Sequence, residues 1–129
     1  MLTEFLELNK ISSVVYNNNK EKGFWDNERN VGETLMLCVT ELAEALESHR
    51  KGRKADLDAF EHSLAKENFK ENFVEQFKLH MKDTFEDEIA DTMIRLFDLC
   101  GGFNIDIAAH LYYKLEYNKT RERLHGKKY

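Results

Sequence analysis

At 129 residues, with 42% hydrophobic, 12% aromatic and 33% charged residues, the chain has the length and apolar content of one folded domain. A formal net charge of -5 argues against the broad cationic surface of a general nucleic-acid binder. It leaves room for an acidic site that holds a polyphosphate through a divalent cation. No apolar run approaches the roughly 18 residues that span a bilayer, and the opening MLTEFLELNK has neither a basic flank nor an apolar leader core. Cys38 and Cys100 sit on apolar helix faces and read as buried free thiols, so a cytoplasmic protein without membrane contact is expected.

Proline is absent and glycine scarce, while the apolar spacing is helical nearly throughout, which predicts an all-α bundle of four to six helices in a single domain. The first helix is predicted from residue 3 to about 16, with Phe5, Leu8, Ile11, Ser12 and Val15 inward and Asn17, Asn18 and Asn19 as its stop. A loop with Gly23, Phe24 and Trp25 follows. Asn30, three residues before Glu33, opens the second helix; its core stripe is Val31, Leu35, Cys38, Val39, Leu42 and Leu46, and it stops at Gly52. Residues 54–82 form a charged insertion in which Leu57, Phe60 and Leu64, then Phe69, Phe73 and Phe77, predict one or two amphipathic segments. Thr84 starts a further helix with Phe85, Ile89, Met93, Leu96, Phe97 and Cys100 inward, ended by Gly101 and Gly102. Asp106 caps the last, which carries Ile107, Leu111 and Leu115 inward as far as about Arg123.

Two acidic pairs carry the chemistry. TELAEALE sets Glu41 and Glu44 three apart, and FEDEIADT sets Glu88 and Asp91 three apart, so each pair leaves one side of its helix. One such pair is common on a solvated face, but Glu41 adjoins Leu42 and Glu88 adjoins Ile89, which places the acids beside the expected core seam. Converging carboxylates repel one another unless a hard cation such as Mg²⁺, or Mn²⁺ as a substitute, sits between them. On the last helix Lys114, Asn118 and Arg121, spaced i, i+4 and i+7, form a polar line whose donors suit phosphate oxygens or simply offset the negative helix end. Trp25 is either a base-stacking residue or a core aromatic.

The Glu-x-x-Glu of TELAEAL, the Glu-x-x-Asp of DEIADTMIRLFDL and the ending KLEYNKTRERLHGKKY resemble the MazG-like nucleoside triphosphate pyrophosphohydrolases, over a span from about residue 32 to the C-terminus. The resemblance implies a Mg²⁺ site of Glu41, Glu44, Glu88 and Asp91, with Lys114, Asn118 and Arg121 on the phosphates. It also implies cleavage between the α and β phosphates to a nucleoside monophosphate and pyrophosphate, in a homo-oligomer, dimer or tetramer, with the site near the subunit interface. The insertion departs from the short spacer of the simplest members. A phosphoribosyl-ATP pyrophosphohydrolase shares this logic, and a non-catalytic helical interaction module is the alternative from another class. A ferritin-like di-iron bundle is a poor fit, because it needs Glu-x-x-His on two helices and, of the five histidines, only His125 lies three residues after a glutamate.

Overall fold

The computed structural model describes the chain except residues 66–68 and 129 and the side chains of 69–71. Among the described residues the protein is all-α: α1 (Leu2–Glu21), α2 (Val31–Arg50), α3 (Leu57–Leu64), α4 (Phe69–His80), α5 (Phe85–Gly102) and α6 (Ile107–Lys119), then a short 3-10 turn at Arg123–Gly126. None of these helices is long and apolar enough to cross a membrane. The chain groups into two compact units, one of Met1–Arg29 with the chain from Phe97 onward, the other of Asn30–Leu96.

In the first unit α1 lies along α6. Phe5 meets Tyr112 edge to face at 5.7 Å, and Ala108, fully buried, permits close approach. Asn9 ties the two helices from both sides of its amide: its Nδ2 donates to Asp106 at 2.8 Å and its Oδ1 accepts from the Ala108 N–H at 3.1 Å. Asp106 also caps α6 by accepting from Ala109 N–H, as the sequence predicts. Ser12, buried on the expected stripe, donates to the Phe97 carbonyl at 2.7 Å. The three asparagines do not stop α1, since asparagine costs only a few tenths of a kcal/mol inside a helix. The stop is Gly23, whose φ of +86° supports paired bonds from Gly23 N–H to Lys20 and from Phe24 N–H to Asn19. Asn104, at φ +54°, ends α5 in the same way, so the helix runs through both Gly101 and Gly102.

The second unit holds α2, α3, α4 and α5 up to Leu96. Asn30 caps α2 by accepting from Glu33 N–H, and Gly52 closes it in the left-handed conformation. The insertion is two helices: Asp56 caps α3, Phe60 packs edge to face on Phe73 and Phe77, and Asp56 N–H donates to the His80 carbonyl at the base of the pair. The Phe69 side chain, expected in this cluster, lies outside the described residues.

The apolar stripes are where expectation and structure part. Val31, Leu35, Val39, Leu42 and Leu46 on α2, with Ile89, Met93 and Leu96 on α5, stand between 37% and 52% exposed. The buried line of α2 is instead Thr34, Cys38, Glu41, Ala45 and Ser48, and that of α5 begins Thr84, Glu88 and Thr92. Each helix presents two seams offset by one residue, about 100° apart, and the chain closes on the seam of small and acidic residues. Cys38 and Cys100 are buried and free of disulfides, as expected. Leu111 and Leu115 are partly exposed, and Ala108 and Tyr112 face α1 in their place.

Candidate metal centre

The seam chosen in the second unit decides which carboxylates meet. Glu41 on α2 is 9% exposed and Glu88 on α5 is 5% exposed. With Asp91, one turn further along α5, they bring one oxygen each within 4.8 Å of one another. Hard cations bind carboxylate oxygens at about 2.1 Å for Mg²⁺ and up to about 2.6 Å for Ca²⁺, so two ligands of one ion stand at most roughly 4.2 to 5.2 Å apart. An oxygen-only group of this span fits such an ion. Ala45 and Ser48 continue the buried α2 seam, the Ser48 hydroxyl donating to the Asp83 carbonyl, and Thr92 donates to the Glu88 carbonyl.

The electrostatics follow from that crowding. Burial above all raises the proton affinity of Glu88, and the charges of Glu44, Asp91, Asp87 and Glu41 add to it. Asp91 is raised by burial first and by Asp87 and Glu41 next, with Arg95 pulling the other way. No hydrogen-bond donor reaches the Glu88 or Asp91 carboxylate among the described residues, and the positive charges nearby, Arg95 beside Asp91 and Lys82 beside Glu88, offset the repulsion only in part. Glu41 does have a partner. Arg95 Nε donates to its Oε1 at 2.9 Å across the two helices.

Glu44 is exposed and lies outside the close group, although its charge is the largest of those felt at Glu88. Three of the four expected ligands therefore converge and the fourth stands at the rim. Asp83 and Asp87 also come within 4.8 Å of Glu88. Asp83, however, is paired with Lys82 at 2.9 Å, and Asp87 accepts from the Asp83 N–H at 2.9 Å. Glu86 accepts from Ala55 N–H and Glu47 pairs with Lys51, so these acids serve the fold.

The expected phosphate residues belong to the first unit and do not form a single line. The last helix ends at Lys119, not near Arg123, so Arg121 lies beyond it. Lys114 Nζ stands 5.0 Å from the Tyr117 ring centre and the Arg121 guanidinium 5.9 Å from it, which gathers two cations about one exposed aromatic. Asn118 faces elsewhere, lining a cleft with Phe5, Tyr112 and Leu115, its Oδ1 buried without a partner among the described residues.

Trp25 is occupied within the first unit. Its Nε1 donates to the buried Asp98 at 2.8 Å, Tyr16 and Phe103 meet it edge to face, and the Arg29 guanidinium covers the ring at 5.3 Å. Gly102 allows this, since a β-carbon there would collide with the indole. The placement accounts for Trp25 as a packing residue. Sequence reasoning passed over both Arg95 and Asp98. The signal for Arg95 was its position four residues after Asp91 and seven after Glu88; for Asp98 it was an acid inside the apolar run RLFDLC.

No family model matches this chain, and no curated protein or solved structure matches it either.

Proposed function

We propose that the protein is a divalent-cation-dependent nucleotide pyrophosphohydrolase that cleaves a (deoxy)nucleoside triphosphate to the monophosphate and pyrophosphate. The observation that carries this reading is the convergence of Glu41, Glu88 and Asp91 within 4.8 Å on a buried seam. Two of the three are buried, which the solvated acids of a helical interaction module would not be. The choice of nucleotide chemistry rests on the resemblance to MazG-like enzymes, which also places Glu44 with the ligands and Lys114, Asn118 and Arg121 on the phosphates.

In this reading Glu41, Glu88 and Asp91 hold Mg²⁺ or Mn²⁺, and Glu44 completes the set from the rim. The bound cation would neutralise charge developing on the phosphates and acidify a water for attack on phosphorus. The same resemblance assigns Lys114 and Arg121 to the non-bridging oxygens, Arg121 as a planar fork and Lys114 as a point charge. The buried seam excludes bulk water from two of the carboxylates, which strengthens every charge interaction made there.

The test is a panel of canonical and modified nucleoside triphosphates, with phosphoribosyl-ATP included, scored for pyrophosphate release in Mg²⁺ by the wild type, Glu88→Gln and Asp91→Asn. Release from no nucleotide, or equal release by the variants, ends the proposal. The same reading takes the protein as a homo-oligomer. What supports this is the seam of Leu35, Val39, Leu42 and Leu46, spaced 4, 3 and 4 along α2 and left half exposed, a pattern that a second copy can cover. Leu42→Glu is expected to yield monomers in light scattering, and an unchanged mass removes that part.

A further inference from the structure

Arg95 reaches into the carboxylate group from the face of α5 that carries Glu88 and Asp91, and it crosses to α2 to bind Glu41. The Arg95 side chain is 30% exposed and that of Glu41 is 11% exposed, so this pair is more sheltered than an ordinary solvated contact. Only Nε is engaged. The two terminal nitrogens have no hydrogen-bond partner among the described residues. A guanidinium with its fork open therefore stands at the edge of three clustered carboxylates and neutralises one of them.

That position sets up a conflict. A divalent cation held by Glu41, Glu88 and Asp91 repels the nearby guanidinium and competes with it for Glu41. A polyphosphate presents the planar, bidentate acceptors that a freed guanidinium matches best. We propose that Arg95 is a placeholder and a positioning residue: it neutralises Glu41 while no cation is bound, and turns its fork to a substrate phosphate once a cation claims that carboxylate. The proposal rests on the reading of Glu41, Glu88 and Asp91 as cation ligands.

The consequence is a pair of effects with opposite sign. Removing the Arg95 charge tightens cation binding and loosens phosphate binding. A residue that merely braced Glu41 would, when removed, loosen the cation, because an unsupported ligand loses its orientation. Titration calorimetry on the full chain separates the two, first with Mn²⁺ alone and then with inorganic pyrophosphate at saturating Mn²⁺, for the wild type, Arg95→Gln and Arg95→Lys.

Arg95→Gln is expected to bind Mn²⁺ about tenfold more tightly than the wild type, and pyrophosphate about tenfold more weakly. Arg95→Lys keeps the charge and lacks the fork, so its Mn²⁺ affinity stays near wild type while its pyrophosphate affinity falls; it also controls for misfolding of the glutamine variant. Equal or weaker Mn²⁺ binding by Arg95→Gln, or unchanged pyrophosphate binding, overturns the role of Arg95 and leaves the metal centre standing. Absence of Mn²⁺ binding in the wild type and in both variants removes the metal centre itself, and this proposal with it. Mn²⁺ binding by Arg95→Gln alone supports it.

Discussion

Helix α5 carries buried carboxylates in both units, and they are treated in opposite ways. In the first unit Asp98, 3% exposed, accepts a hydrogen bond from the Trp25 indole and lies in an aromatic cluster with Tyr16 and Phe103 nearby. In the second, Glu88 and Asp91 have no hydrogen-bond donor among the described residues and face Glu41, so burial and mutual repulsion hold their proton affinity high. A buried acid with a matched donor is part of the scaffold. Buried acids aimed at one another without donors are a cost to the fold that a cation would relieve, and such unrelieved groups gather where a protein binds something.

The largest effect that sharpens this contrast should come from the unpartnered acids. Glu88→Gln and Asp91→Asn are expected to lower pyrophosphate release by more than about a hundredfold, since each removes a ligand charge. Without cation, Glu88→Gln should nevertheless be the more stable protein, by about 1 kcal/mol in denaturant unfolding, because one of three crowded charges is gone. If that variant is instead less stable than wild type, Glu88 is a scaffold acid like Asp98 and the contrast collapses.

For the partnered acid the expectation reverses. Asp98→Ala leaves the indole N–H without its acceptor and should cost about 1–3 kcal/mol in the same unfolding experiment. Gly102→Ala, which drives a methyl group into the Trp25 ring, should cost a similar amount. Neither change should alter Mn²⁺ affinity. A loss of Mn²⁺ binding in Asp98→Ala would mean that the two regions are coupled.

Dependence on pH gives a smaller effect with a defined sign. The folded values of Glu88 and Asp91 lie above their ordinary 4.5 and 3.8, so the folded protein holds protons that the unfolded chain releases. Their contribution to stability is therefore complete below the ordinary values and is lost as pH rises through the raised ones. Exposed acids that are pulled down, such as Glu47 beside Lys51, contribute in the opposite direction. The cation-free stability difference between wild type and Glu88→Gln isolates the effect and should grow from about pH 4 upward, while the stabilisation by added Mn²⁺ grows with it. Smallest should be Glu44→Gln: an exposed rim carboxylate is expected to cost only several-fold in activity. A loss as large as that of Glu88→Gln would place Glu44 fully among the ligands.

Much of this was legible in the residues themselves. Asn30 and Asp106 capped the helices assigned to them, Gly52 stopped α2, and Thr84 marked the start of α5, its hydroxyl accepting from Asp87 N–H. These are local matters of which donor lies three residues from which acceptor, and local spacing encodes them. Helix ends set by backbone conformation were read less well: Gly23 and Asn104, not the asparagine run or the double glycine, turn left-handed and end α1 and α5.

What sequence alone determined was the set of helices and the acids that share a side of each. Tertiary structure decided which side was turned inward. On α2 the line through Leu35, Val39, Leu42 and Leu46 and the line through Thr34, Cys38, Glu41, Ala45 and Ser48 repeat with the same period and differ only by one residue of phase. Periodicity reports that period and is silent about phase when both lines are packable. The ion pair of Arg95 with Glu41 exists only once two helices meet, and that meeting turned two acidic pairs on separate helices into one close group of three, two of them buried.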